Sequence, residues 1–162
     1  MITQDSVTKE LLKWMEEFVE QPHPGLGGWS PCPYARQARL NNNILIGPGE
    51  NPYTDSLSLL EYDWSKEAVV FWYDGYDTTE FVAAVNQANE ELLSKNIVIL
   101  EDHPDIEEVT SGIRMNFGYC PIIVCQQLDK LTAASEQLKA KGYYDTWSQE
   151  DLDKIVSWRY HS

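Results

Sequence analysis

Apolar residues recur every three to four positions in several parts of the chain, which is the spacing of one helical face. This spacing predicts helices over residues 6–21, 33–40 and 78–95, a further helix from 128 to a left-handed cap at Gly142, and one that opens at 148–151. The apolar side of the first helix carries Leu11, Trp14 or Met15, Phe18 and Val19. The chain is therefore expected to be rich in amphipathic helices.

Short apolar runs bounded by glycine, proline or asparagine predict strands between these helices. They lie at residues 44–46, 57–62, 68–73, 97–100 and 122–124. The runs at 57–62 and 68–73 are close enough to form a hairpin, whereas those at 97–100 and 122–124 are continuously apolar, as in the middle of a sheet. The long polar segment between the last two is expected to be a connection.

Paired strands that alternate with helices indicate an α+β fold. We expect a single domain over residues 1–162, with an antiparallel or mixed sheet of about four to five strands and helices on one face. The order of the second half is ferredoxin-like. That likeness is topological and implies no activity.

Composition and charge narrow the possible partners. The 162 residues are 43% hydrophobic, and 26 acidic residues against 12 basic ones give a net charge of −14. Such a field repels phosphate backbones and anionic lipid, so neither nucleic acid nor membrane is expected as a partner. The acidic surface either serves solubility alone or docks a basic protein partner.

Several features favour a reducing, cytoplasmic location. No apolar run of membrane-spanning length is present, the first residues lack the pattern of a signal peptide, and three cysteines do not form a disulfide framework. His161, close to the last residue, is expected to be frayed. The sequence does not fix an oligomeric state.

The segment 21–36 holds four prolines and three glycines, which indicates a loop restricted to one path. Within it, Cys32 precedes the predicted short helix and Arg36 follows one turn later. A helix N-terminus and a nearby guanidinium both favour a thiolate. Cys32 is therefore the candidate nucleophile or redox thiol, Arg36 the candidate anion clamp and His23 a candidate base. Arg114, from the glycine-flanked segment 112–119, is a further candidate for binding a small anionic ligand.

The tetrad Cys32-Pro33-Tyr34-Ala35 resembles the active-site turn of glutaredoxins, although alanine stands where that family has cysteine or serine. A helix and a loop, not a strand, precede it. Together with Trp14 and Arg36, the same tetrad also resembles small bacterial and phage proteins of uncharacterised families that carry a Cys-Pro-Phe-Ala turn. That second resemblance implies no activity.

An acidic run, Glu101 to Glu108 with His103 inside it, follows a predicted buried strand. Carboxylates and an imidazole at a strand end are possible ligands for a divalent cation, but a solvated acidic loop is the alternative. Because no second histidine stands at ligand spacing, we expect no bound metal and no cofactor. Two hypotheses remain open: a small-molecule or thiol-based site in the loop His23 to Arg36, and a non-enzymatic, acidic protein-interaction module.

Overall fold

A computed structural model of the protein describes residues 2–160. Its α-helices are α1 (Gln4–Trp14), α2 (Ala35–Leu40), α3 (Pro52–Leu57), α4 (Thr78–Leu92), α5 (Leu128–Ala140) and α6 (Gln149–Ile155). A π-helical turn, Met15–Val19, extends α1, and 3-10 turns extend several of the other helices, including Ser157–Tyr160 after α6. The expectation for His161 lies outside the described residues.

The main sheet has four strands: β1 (Ile44–Pro48), β2 (Ala68–Trp72), β3 (Ile97–Asp102) and β6 (Ile122–Gln127), in the order β1-β2-β6-β3. β1 pairs with β2 in parallel, whereas β6 is antiparallel to both β2 and β3. A separate two-stranded hairpin consists of β4 (Val109–Thr110) and β5 (Ile113–Arg114). The expected α+β class and mixed sheet are confirmed.

Helices cover both faces of this sheet, so the expectation of helices on one face is wrong. Because successive strand residues point to opposite sides, Val69 faces one layer and Val70 the other. The side of Val69 packs against α3, α4 and the 3-10 turn after α3, with Phe81 fully buried between them. The side of Val70 packs against α1 through Leu11.

Residues 57–61 are helical, which corrects the predicted strand over residues 57–62 and its hairpin. α3 begins after Asn51, whose side chain accepts hydrogen bonds from the Tyr53 and Thr54 amides, and Pro52 occupies the first turn. The chain then continues as a 3-10 turn over Ser58–Glu61. An N-cap followed by proline is a helix start, and here it outweighs the apolar run.

β6 lies between β2 and β3, which are joined through α4, so these elements form a split β-α-β unit. The other neighbour of β2 is β1, which runs parallel to it and comes from earlier in the chain. The ferredoxin-like second half therefore stays a prediction.

The C-terminal segment packs against the chain itself. Val156 is buried, and Leu152 and Ile155 are half-buried. The Asp151 carboxylate accepts a hydrogen bond from the Ser111 amide in the turn of the β4–β5 hairpin, at 3.2 Å. Within residues 2–160, no helix has both the length and the apolar character needed to cross a membrane.

Candidate functional site

The loop that carries the sequence-predicted residues follows one defined path. The His23 carbonyl accepts hydrogen bonds from the amides of Leu26 and Gly28, each at 3.0 Å, and the His23 amide donates to the Trp29 carbonyl at 3.0 Å. Gly27 and Gly28 have φ of 67° and 86°, values that glycine adopts without strain. The loop is therefore an ordered turn, as its composition predicts.

Cys32 is an exposed residue at the end of this loop. Packing around its sulfur desolvates the thiolate and raises the pKa of the thiol, and the backbone N–H groups of Tyr34 and Ala35 offset only part of that effect. The expectation that this thiol has a lowered pKa is therefore wrong. The helix that follows, α2, spans only six residues, which limits the stabilisation its N-terminus provides.

The other three candidates do not gather around Cys32. The His23 ring packs against Phe18, with ring centroids 5.0 Å apart, and its buried Nε2 has no hydrogen-bond partner among the described residues. Arg36 is exposed. The Arg114 guanidinium donates to the Pro104 carbonyl at 3.1 Å. Within residues 2–160 no hydrogen bond or ion pair joins any two of these four side chains.

A cleft of about 780 Å³ lies elsewhere, between α4, the β3 edge of the sheet and the C-terminal segment. Its walls come from within residues 85–94, from residues 99–101 together with Glu108, and from Ile155 and Trp158. We call it the α4–β3 cleft. It is where distant parts of the sequence meet around a concave surface.

The floor of the cleft is set by a contact between α4 and the edge of β3. The buried Asn89 carboxamide donates to the Ile99 carbonyl at 2.9 Å and accepts from the Ile99 amide at 2.9 Å. Asn89 therefore occupies the place that a neighbouring strand would take beside Ile99. Edge strands with free backbone groups invite pairing with other chains, and this side chain blocks such pairing at the middle of β3.

Two carboxylates in the cleft have perturbed titration. Burial raises the pKa of Glu108 to about 7, and the charges of Asp102 and Glu101 contribute to the rise. Burial also raises the pKa of Glu101. One carboxylate oxygen of Glu101, Oε2, is buried and has no hydrogen-bond partner among the described residues. Perturbed pKa values inside a concave pocket are typical of functional sites.

The two buried polar residues of the acidic run, Asp102 and His103, have structural roles. Asp102 is buried and accepts hydrogen bonds from the Phe117 amide at 3.3 and 3.1 Å. His103 is also buried; its Nε2 lies 2.7 Å from the Tyr76 carbonyl, and its Nδ1 accepts from the Asp105 amide at 3.1 Å. Both ring nitrogens are thus engaged by backbone groups. In the described part of the chain, no three His, Cys, Asp or Glu side chains are arranged to hold a metal ion.

A second, smaller pocket of about 220 Å³ lies between α1, α2 and β1 and includes Arg39. The Arg39 guanidinium is already bound by Glu20, at 2.7 and 2.9 Å, and by Glu16 at 3.0 Å. Its charge is therefore neutralised within the chain. This pocket is a weaker candidate for an anion site than its arginine suggests.

The sequence pointed to the carboxylates of the cleft but not to the cleft itself. Glu101 and Glu108 belong to the acidic run, whereas no sequence pattern connected that run with Ile155 or Trp158. Asn89 could have been identified from the sequence, because it is a polar residue beside the apolar stripe of a predicted helix. A polar residue in that position must find a buried partner.

Comparison of the chain with models of protein families, with curated proteins and with solved structures gave no significant match. The site is therefore interpreted from its own geometry.

Proposed function

We propose that the protein binds a small organic molecule in the α4–β3 cleft. The observation that carries this proposal is the cleft itself, whose volume of about 780 Å³ lies within the usual range of ligand sites. Leu93, Ile155 and Trp158 provide apolar walls, and Glu101 and Glu108 converge on the same space. Apolar walls with a few convergent polar groups are what such sites consist of.

The sequence predicted a small-molecule site in the loop His23 to Arg36, and we propose such a site in the α4–β3 cleft instead. Neither described pocket is lined by His23, Cys32, Arg36 or Arg114. A thiol-based site in the loop remains the second candidate, because Cys32 is an exposed residue. The acidic protein-interaction module remains the alternative to both, and it requires no occupied cleft.

The test is chemical-shift mapping of the ¹⁵N-labelled full chain with small aromatic alcohols and amines, beginning with 2-phenylethanol and 2-phenylethylamine. We expect the perturbed amides to fall within residues 86–94, 99–101, 108 and 155–158. Perturbation centred on residues 23–36 would instead support the loop site. No saturable perturbation by any probe would overturn the proposal.

A matched pair of variants separates the cleft from the rest of the surface. Leu93 is half-buried in the cleft wall, so Leu93→Trp adds volume to the space that the probe would occupy. Leu60 is 49% exposed on the 3-10 turn after α3 and lines neither described pocket, so Leu60→Trp makes the same substitution elsewhere. We expect Leu93→Trp to weaken probe binding at least tenfold and Leu60→Trp to leave it unchanged. Equal affinities in the two variants would contradict a binding site in the cleft.

A further inference from the structure

We infer that the occupant of the α4–β3 cleft is an organic cation, a primary ammonium group on an apolar body, with the ammonium held by Glu101 and Glu108. This inference rests on the proposed function and names the class of ligand. It follows from three properties of the cleft: its negative charge, a buried carboxylate oxygen that has no hydrogen-bond partner, and its apolar walls.

The charge of the cleft is negative at its base and at its rim. Glu101 and Glu108 are partly buried, and Glu90 is an exposed residue of α4 at the same opening. The basic group that acts on Glu108 is Lys154 of α6, which is exposed and forms no ion pair within the described residues. Acidic groups therefore outnumber basic ones around the space that a ligand would occupy.

One oxygen of the partly buried Glu101 carboxylate has no hydrogen-bond partner among the described residues. That oxygen, Oε2, is also inaccessible to solvent. A carboxylate in this state costs free energy unless it is protonated or meets a donor. A ligand ammonium supplies three N–H donors together with a positive charge, so it can donate to the glutamate oxygens that face the cleft and reduce the cost of burying their charge.

The walls favour an organic cation over a metal ion. Calcium requires six to eight oxygen ligands and magnesium a near-ideal octahedron. The described residues provide no group of three or more side chains suited to holding a metal, while Leu93, Ile155 and Trp158 present apolar surface. An aromatic face such as that of Trp158 also attracts an ammonium group directly.

Titration of the site supports the same inference. Burial and the charges of Asp102 and Glu101 raise the pKa of Glu108 to about 7, and Lys154 opposes the rise. Near neutral pH a fraction of the molecules therefore carry a proton on Glu108, and a bound ammonium would displace it. Affinity for an amine should therefore increase from pH 6 to pH 8, over which aliphatic amines stay protonated.

The decisive experiment compares two ligands of nearly equal shape, 2-phenylethylamine and 2-phenylethanol, by calorimetric titration of the full chain at pH 8. We expect the amine to bind at least tenfold more tightly, since a charge-assisted hydrogen bond is worth more than a neutral one. Equal affinities, or tighter binding of the alcohol, would overturn the inference while leaving the cleft as a binding site. Absence of binding by both ligands would instead overturn the proposed function.

Variants then assign the preference to the two glutamates. Glu101→Gln and Glu108→Gln resemble the protonated acids, and we expect each to reduce the preference for the amine over 2-phenylethanol at least fivefold. Glu107→Gln is the matched control, because Glu107 is exposed and adjacent in sequence but does not line the cleft. An amine preference that survives in both cleft variants would contradict the inference. So would calcium chloride binding there more tightly than the amine.

Discussion

The side chain of Asn89 and the backbone of Ile99 form two hydrogen bonds to each other, both 2.9 Å long. Asn89 is 8% exposed and Ile99 is 1% exposed, so neither partner has water as an alternative. One amide side chain thereby satisfies the backbone donor and acceptor of an edge residue. It also fixes α4 against β3 and so sets the base of the cleft.

Replacing Asn89 with alanine should lower the free energy of unfolding by about 2 to 4 kcal/mol, because a buried donor and a buried acceptor both lose their partner. Urea denaturation of the two proteins measures the difference. Asn86→Ala is the control, since Asn86 is an exposed residue of the same helix, and it should change stability by less than about 0.5 kcal/mol. Similar losses in both variants would contradict the role given to Asn89.

Stability should depend on pH through Glu108. Its pKa is raised from 4.5 to about 7 by burial and by neighbouring acids, so between those values the folded state holds a proton that the unfolded state has lost. Raising the pH through this window therefore lowers the free energy of unfolding, by about 3 kcal/mol in total. Asp102, whose pKa burial raises to about 6, adds an effect of the same sign.

Chemical denaturation at pH 5, 6, 7 and 8 checks this dependence. The stability of Glu108→Gln relative to the unmodified protein should rise steadily from pH 5 to pH 8, because glutamine cannot ionise. The same difference measured for Glu107→Gln, at an exposed position, should stay flat. A flat profile for Glu108→Gln would show that Glu108 ionises normally in the folded protein.

In the native protein, iodoacetamide should label Cys32 at least tenfold faster than Cys120 or Cys125. Cys32 is exposed, whereas the other two are buried, and burial raises the pKa of Cys120 to about 12. Labelling of Cys32 should nevertheless be slower than that of a free thiol at neutral pH, because desolvation raises its pKa. Peptide-resolved mass spectrometry gives the three rates.

Arg36→Gln tests whether this thiol depends on the nearby guanidinium. Arg36 is exposed and forms no ion pair in the described part of the chain, so the labelling rate should change by less than about twofold. A tenfold fall would support the original hypothesis of an arginine-stabilised thiolate at the loop.

Gly49 should not tolerate a side chain. A Cβ there would lie 2.6 Å from the Asp55 carboxylate and 2.6 Å from the Tyr73 ring, and Tyr73 donates a hydrogen bond to that carboxylate at 2.8 Å. Gly49→Ala should therefore cost about 1 to 3 kcal/mol of stability. Gly47→Ala, where no atom lies within 4 Å of the added carbon, should be close to neutral in the same thermal unfolding experiment. Comparable losses at both positions would argue against this packing.

Much of the fold is predictable from local pattern. A long helix was expected over 78–95 and is found as Thr78–Leu92 with a 3-10 turn over Leu93–Lys95. Asp77 caps its N-terminus by accepting a hydrogen bond from the Glu80 amide. Gly142 has φ of 87°, as the predicted left-handed cap requires.

The arrangement of helices on the two faces of the sheet was harder to predict from the sequence. α1 carries an apolar stripe that fits either face of a sheet, and only the pairing of β1 beside β2 places it opposite α4. Local periodicity shows that a helix must bury one side, but it does not say against which face. The number of helical layers therefore could not be read from the pattern.

The cleft could not be predicted from the sequence for a related reason. Its walls join residues near 90, 100 and 155, and no motif links them. By contrast, the loop 21–36 was predicted to hold a site because its prolines and glycines lie close together in the sequence. Local density of unusual residues identified an ordered turn correctly, but it did not locate the α4–β3 cleft.

The two central strands of the sheet have a consequence for folding. Val70 of β2 pairs with Val124 of β6, so the middle of the sheet forms only when a loop of roughly fifty residues closes. α4 and β3, in contrast, adjoin each other in sequence and pack together directly. We expect that pair to form early and the arrival of β6 to limit the rate. Refolding should then be slower than in helical bundles, whose contacts are mostly local.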